Sequence, residues 1–267
     1  MHYRVVGHGP DVLLLHGLGG SSRYWRKIAG TLARRYRLIM PDLLGFGDSG
    51  KPYVAYEPAL HCQAIAAVLA AAGAPAPFAV IGHSLGAVLG TLMATQLPRP
   101  PATAVLITPP FPTGGGALRE EVRRLSPVNR LLLSCVPVTR LTHVGMQAVW
   151  PAVCQLRPPG ATFASDVLAD YGKYTYHSFT STLNRCLFDF DLRPALGRLD
   201  AVPALVLSAS RDRRVPASHG PSLAASLPRA TIEHLPSRHH PALSHSELVA
   251  HRLLAWLDQH RADGASA

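Results

Sequence analysis

Residues 80–87 read Val80-Ile81-Gly82-His83-Ser84-Leu85-Gly86-Ala87. The apolar run Phe78 to Ile81 ends at Gly82, and an apolar helical pattern, Leu85 to Leu97, starts directly after the serine. This spacing predicts a buried strand, a sharp turn and a helix, with Ser84 at the corner. The flanking glycines have a steric reason. Strand and helix approach closely at such a turn only where the residues two away lack bulk, and the corner residue takes a strained backbone conformation. The turn holds the serine oxygen clear of the sheet. It also directs the N–H groups of the helix start, Leu85 included, toward whatever that oxygen attacks. A Gly-rich strand-to-helix turn with a solvated serine has the same five residues, so the rest of the chain decides between the two.

Working outward, Val12-Leu13-Leu14-Leu15 is a short apolar run that ends in the Gly-rich loop His16-Gly17-Leu18-Gly19-Gly20-Ser21-Ser22. Downstream, Ala204 to Ser208 is another buried-strand run, followed by Ala209-Ser210-Arg211-Asp212-Arg213-Arg214-Val215-Pro216. Ala230 to Leu235 is a further strand and leads into Pro236-Ser237-Arg238-His239-His240-Pro241. An acid after one late strand and a histidine after the next give the chain order Ser84, Asp212, His239. Trypsin-like and subtilisin-like enzymes use the same three groups in other orders.

These segments together resemble the α/β-hydrolase superfamily over nearly the whole chain. Trp25 and the stretch Met40-Pro41-Asp42-Leu43-Leu44-Gly45-Phe46-Gly47-Asp48-Ser49 add to it, the latter being similar to the family's P-D-x-x-G-x-G-x-S loop. The resemblance implies a nucleophile elbow at Ser84, with Asp212 and His239 completing a triad. It also implies an oxyanion hole made by the backbone N–H groups of Leu18 and Leu85. Three positions depart from the family pattern. Arg238 stands where a glycine usually precedes the catalytic histidine. Two histidines are adjacent: the downstream His-x-Pro-x-Leu pattern favours His239, while spacing from Asp212 also allows His240 as the base. Ser244 and Ser246 stand where the family often has an acid and a proline. Dehalogenases and epoxide hydrolases of this fold carry Asp at the elbow, and dienelactone-hydrolase-like members carry Cys, so Ser84 disfavours all of these.

The expected fold class is α/β: a mostly parallel, doubly wound sheet of about seven strands with an inserted helical cap. Strands are predicted at His2 to Val6, Val12 to Leu15, Tyr36 to Met40, Phe78 to Ile81, Ala102 to Thr108, Ala204 to Ser208 and Ala230 to Leu235. Core helices are predicted at Trp25 to Arg35, Pro58 to Ala72, around Pro221 to Leu227, and at Ser246 to His260, with Ala262 to Ala267 as a frayed tail. Residues 111–194 break the β–α rhythm and carry helical spacing at Leu118 to Leu125, Asn129 to Val136, Gln147 to Leu156 and Phe163 to Leu187. The expected division is therefore a core of 1–110 and 195–267 with a cap of 111–194. Trp150, Phe163, Tyr171, Tyr174, Tyr176 and Phe179 are candidates for the cap's apolar lining, or for simply holding the cap together.

Composition narrows the function classes. The 267 residues are 48% hydrophobic and 16% charged, which suits one core-forming domain with an insertion. No apolar run is long enough to span a bilayer, and Met1 to Gly9 lacks a secretory pattern, so a cytoplasmic location is expected. Cys62, Cys135, Cys154 and Cys186 are widely spaced and are expected to be reduced fillers. None of the fourteen histidines sits in metal-ligand spacing, so neither a metal nor a cofactor is expected. The net charge of +10 comes without a nucleic-acid motif, and a solvated surface accounts for it. It also suits an anionic substrate or an acidic carrier-protein partner.

The leading expectation is a hydrolase that cleaves a carboxylic ester or lactone of a small-to-medium apolar substrate. A thioesterase or C–C bond hydrolase uses the same triad, and a lyase or cyclase uses the same scaffold. A ligand-binding module on a retained hydrolase shell is the non-catalytic alternative.

Overall fold

The computed structural model describes residues 1–135, 137, 138, 140, 141, 144, 145, 148, 149, 170 and 172–264. Among them, seven strands form one sheet: β1 (Tyr3–Val6), β2 (Asp11–Leu15), β3 (Arg37–Pro41), β4 (Ala79–His83), β5 (Thr103–Ile107), β6 (Ala204–Ala209) and β7 (Ala230–Leu235). Their order is β1-β3-β2-β4-β5-β6-β7. Only β1 runs antiparallel, pairing Tyr3 with Pro41 on the β3 edge. The remaining pairs are parallel.

The central strands β4, β5 and β6 are buried at every position because both faces of the sheet are covered. Leu13, Leu15, Val80, Leu106 and Val206 turn to one face, where they meet α2 (Pro58–Ala71) and α3 (Leu85–Gln96). Val12, Leu14, Ile81, Val105 and Leu207 turn to the other, where they meet α1 (Arg26–Leu32) and the C-terminal helix Ser246–Gly264. Full burial of each such side chain contributes about 1.5–3 kcal/mol, which makes the register costly to slip.

That register positions the site. Leu15 pairs with Gly82, His83 with Ile107, Ile107 with Leu207, and Ala209 with Leu235. The strands therefore end level, and the loops after β2, β4, β6 and β7 emerge side by side at the carboxyl edge. This is where open α/β sheets bind ligands.

Between β5 and β6 the described residues include α4 (Ala117–Leu125), α5 (Pro127–Ser134), α6 (Tyr176–Leu183) and α7 (Arg193–Leu196). The expected helical pattern from Phe163 to Leu187 is not one helix in its described part. α6 starts only at Tyr176, where Thr175 and Ser178 form a reciprocal capping box. It ends in a widened π-type turn at Asn184–Phe188. Trp150, Phe163, Tyr171 and Cys154 lie outside the described residues, as do most of Gln147 to Leu156.

Three further helices close the fold: α8 (His219–Ala225), α9 (Pro241–Ser244) and α10 (Ser246–Gly264). Ala262 to Gly264, expected to fray, belong to α10. Cys62 and Cys186 are free thiols. Burial pushes the Cys62 thiol up to about 12, so it is an inert filler of the core.

Candidate active site

Ser84 sits between β4 and α3 with φ 53° and ψ −119°, a left-handed conformation that side chains rarely adopt. The surroundings enforce it. A Cβ on Gly82 would collide with the Gly86 carbonyl, and a Cβ on Gly86 would collide with the carbonyls of Leu15 and His16. Both glycines are therefore required by close main-chain approach, as their spacing predicts. The Ser84 N–H donates to the Ile107 carbonyl at 2.9 Å, which ties the corner to β5.

Asp212 and His239 arrive on the loops after β6 and β7. His239 Nε2 lies 3.1 Å from Ser84 Oγ, and His239 Nδ1 lies 2.7 Å from Asp212 Oδ2. The other Asp212 oxygen accepts the amides of Arg214 (2.8 Å) and Val215 (3.1 Å). Burial by itself would raise the Asp212 carboxyl. The His239 hydrogen bond and charge, with the two amides, outweigh it and hold the group below the usual carboxylate range. Asp212 is thus ionised at neutral pH and fixes the Nδ1–H tautomer, which leaves Nε2 free to accept a proton from Ser84. Ser84 and His239 are only 8% and 6% exposed, so this transfer is shielded from bulk water.

His240 does not join this line. Its ring lies edge-on to His239, with centroids 4.9 Å apart, and near Tyr24 at 6.0 Å. Burial, the neighbouring His239 and Arg214 push it down to about 3, so it stays neutral. The structure brings His239, rather than His240, to Ser84 and Asp212.

Gly17 and Leu18 lie against Ser84: a Cβ on Gly17 would come within 3.2 Å of the Ser84 Cβ. Leu85 opens α3. Leu18, on the same Gly-rich loop as Gly17, lines the cavity together with Ser84. The loop is braced by His16, whose Nδ1 donates to the Gly17 carbonyl at 2.8 Å and whose Nε2 accepts the Leu43 amide at 2.9 Å. Burial lowers the His16 pKa, in keeping with the neutral tautomer that this pair of bonds requires.

Several supporting residues escaped the sequence reading. His83 stacks on Tyr24 at 4.3 Å, and its Nε2 donates to the His239 carbonyl at 2.8 Å. It thereby links the serine's strand to the histidine's loop. Burial, then the nearby His239 and His240, keep His83 well below its ordinary pKa. Its position directly before Ser84 in the elbow was the available signal. Asp42 accepts His2 Nδ1 (3.0 Å) and the amides of Ser22 (2.7 Å) and Asp48 (2.8 Å), which pins the Gly-rich loops together. His2, Asp42 and Asp48 also bring ligand-type atoms within 4.8 Å of one another. The Asp42 oxygens are already engaged by these donors, so the cluster is accounted for as a hydrogen-bonded knot. Asp170, fully buried, accepts Arg23 at 2.5 Å, while Asp48 accepts Arg23 at 3.0 Å and Lys173 at 2.5 Å. These pairs clasp the insertion to the loops after β2 and β3.

Above Ser84 the described residues bound a cavity of about 610 Å³. Its walls are largely apolar, with Leu118, Val122, Leu133, Phe179, Leu183 and Leu187 prominent. Tyr174 and Tyr176, two of the candidate lining aromatics, also face it.

Comparison with known proteins agrees with this architecture. A family model described as alpha/beta hydrolase fold matches residues 10–246. The chain belongs to the alpha/beta-hydrolase family. A pimeloyl-[acyl-carrier protein] methyl ester esterase from Chromobacterium violaceum is 30% identical over 248 residues, covering 91% of this chain and 92% of that protein. An uncharacterised Mycobacterium tuberculosis protein is 36% identical over 97 residues, which are 36% of this chain and only 28% of that protein. Among solved structures, a hydrolase from Pseudomonas aeruginosa superimposes with a TM-score of 0.75 at 25% identity, covering 96% of this chain and 93% of that one. No described helix of this family member is long and apolar enough to cross a membrane.

Proposed function

We propose that the protein is a serine hydrolase that cleaves a carboxylic ester or lactone of a small-to-medium apolar acyl compound. The observation that carries this is the unbroken hydrogen-bonded line Ser84–His239–Asp212, opening under an apolar cavity. His239 removes the Ser84 proton as Oγ attacks the carbonyl carbon, and Asp212 stabilises the imidazolium that forms. The amides of Leu18 and Leu85 receive the oxyanion, an interaction whose loss costs about 3 kcal/mol of barrier. His239 then protonates the leaving oxygen, and water releases the acyl group from Ser84 along the same route. In this reading residues 1–110 and 195–267 form the catalytic core. Residues 111–194 form a cap whose apolar side chains hold the acyl chain.

Support from relatives is of the same kind: an ester-cleaving enzyme is similar over nearly the full chain. The same triad cleaves a thioester. Exposed arginines beside His239, without an ion pair among the described residues, favour this second reading when the leaving group is anionic. The test is hydrolysis of p-nitrophenyl esters of increasing acyl length by the wild type and by Ser84→Ala. Turnover that depends on Ser84 and peaks at a defined chain length is expected. Equal turnover by both proteins, or none by either, would overturn the proposal.

A further inference from the structure

The two edges of the site differ in charge. The nitrogen that takes the Ser84 proton must return it to the departing atom, so the leaving group lies within hydrogen-bond reach of His239 Nε2. That edge is formed by the loops after β6 and β7, which are stitched together where the Arg211 amide donates to the Ser237 carbonyl at 3.0 Å. Arg214 and Val215 line the cavity here, next to His239 and His240. The opposite walls carry the apolar side chains of α4 and α6.

Arg211, Arg213, Arg214 and Arg238 are all exposed on these two loops. None of them makes an ion pair among the described residues, whereas Arg23, Arg119, Arg185 and Arg193 each do. The one acid in the two loops, Asp212, has both oxygens engaged by His239 and by main-chain amides. Four cations on these two loops therefore face a single carboxylate, already engaged, and Arg214 is the one of them that lines the cavity among the described residues. Holding like charges together costs free energy, and a bound anion relieves it.

We propose that this edge recognises a leaving group carrying phosphate or carboxylate, an alcohol or thiol whose anion is held by Arg214 with Arg211, Arg213 and Arg238. The inference rests on the hydrolase reading above and adds the substrate's second half. The chemistry balances without a further reagent. Ser84 Oγ bonds to the carbonyl carbon, the C–O or C–S bond breaks, and the serine proton passes through His239 to the departing atom. Water then yields the free acid. The anion is either part of a small molecule or borne by an acidic carrier protein.

The experiment compares two thioesters of one acyl group, the coenzyme A ester and the N-acetylcysteamine ester. They share the thiol and neighbouring amide; coenzyme A adds the rest of the pantetheine arm, adenosine and the phosphates, and the salt dependence with the Arg→Gln variants isolates the contribution of the phosphates. The wild type is expected to favour the coenzyme A ester by about tenfold or more in kcat/KM at low salt. The preference should shrink as ionic strength shortens the Debye length from about 30 Å to about 3 Å. Arg214→Gln, checked for an unchanged melting temperature, is expected to cut the preference severalfold, and the quadruple Arg→Gln variant to abolish it. A purely structural role for these arginines would lower both substrates alike and leave the ratio unmoved. The same acyl group on an acyl carrier protein separates the sources: a carrier-borne ester turned over faster than the coenzyme A ester puts the anion on a protein, and the reverse puts it on a small molecule. Ser84-dependent turnover with a ratio near one would overturn this inference alone. Absence of any Ser84-dependent turnover, p-nitrophenyl esters included, would remove the hydrolase reading beneath it.

Discussion

The floor and the roof of the cavity are held by different forces. On the floor, Ser84, Asp212 and His239 sit at the ends of parallel strands whose register is set by main-chain hydrogen bonds and by burial on both faces. The roof, from α4 to α6, is set by side chains: apolar contacts, a capping box at Thr175, and the clasp of Arg23, Asp170, Asp48 and Lys173. Main-chain geometry tolerates almost no displacement, whereas side-chain packing yields at modest cost. Under the proposed hydrolase reading, a site built this way keeps its chemistry constant on the floor and adjusts its substrate range in the roof.

The comparison breaks most visibly at the floor. His239→Ala is expected to lower kcat by about 10⁴-fold or more, because proton transfer and the hydrogen bond to Ser84 are lost together. His240→Asn, one residue away but outside the hydrogen-bonded line, should cost less than about tenfold. Steady-state kinetics on one ester distinguish the two, and comparable losses would contradict the assignment of the base. Gly86→Ala should be the most damaging change to stability. Its methyl group would lie inside the carbonyls of Leu15 and His16, and urea unfolding should show a loss of about 3 kcal/mol or more.

A smaller effect comes from pH. His16, His61, His83 and His240 are buried, and burial lowers each below its ordinary value near 6.5, His61 to about 4 and His240 to about 3. Above pH 6.5 these groups are neutral in both folded and unfolded chains and do not affect stability. As pH falls below 6.5 the unfolded chain takes up protons that the folded one refuses, and stability drops by up to about 1.4 kcal/mol per pH unit for each group. The depressed Asp212 adds its own loss only at more acidic pH, as the carboxyl is protonated through its folded value. Melting should therefore occur at least about 5 °C lower at pH 5 than at pH 7.5. A flat profile would show that these imidazoles are not held neutral.

The roof gives the smallest effect on chemistry. Phe179→Ala is expected to shift the preferred acyl length while changing kcat for the acetyl ester by less than about threefold, since Phe179 lines the cavity stacked on Tyr174. A large fall for the acetyl ester would mean that roof and floor are coupled.

This contrast also explains what could be read from the chain beforehand. Gly82, Gly86 and the order Ser84, Asp212, His239 were legible because close main-chain approach leaves few residue choices, and because the strands alternate with helices in a fixed sequence. The choice between His239 and His240 was open, since both spacings reach Asp212; the ring positions separate them. The brace from His83 to the His239 carbonyl spans 156 positions, and the pair Arg23–Asp170 spans 147, so no local pattern announces either. Helical spacing from Phe163 to Leu187 does not mark where α6 starts, because the capping box of Thr175 and Ser178 is not part of the apolar periodicity. That Arg211, Arg213, Arg214 and Arg238 make no ion pair among the described residues needed the structure as well, because a run of arginines says nothing about where the acids lie.

The central claim is that Ser84 is an activated nucleophile. It is tested most directly by treating the folded protein with a fluorophosphonate and locating the adduct by peptide mass spectrometry. The account predicts stoichiometric labelling of the peptide bearing Ser84, much slower labelling in His239→Ala, and none in Ser84→Ala. An unlabelled wild type, or an adduct on any other residue, would contradict it.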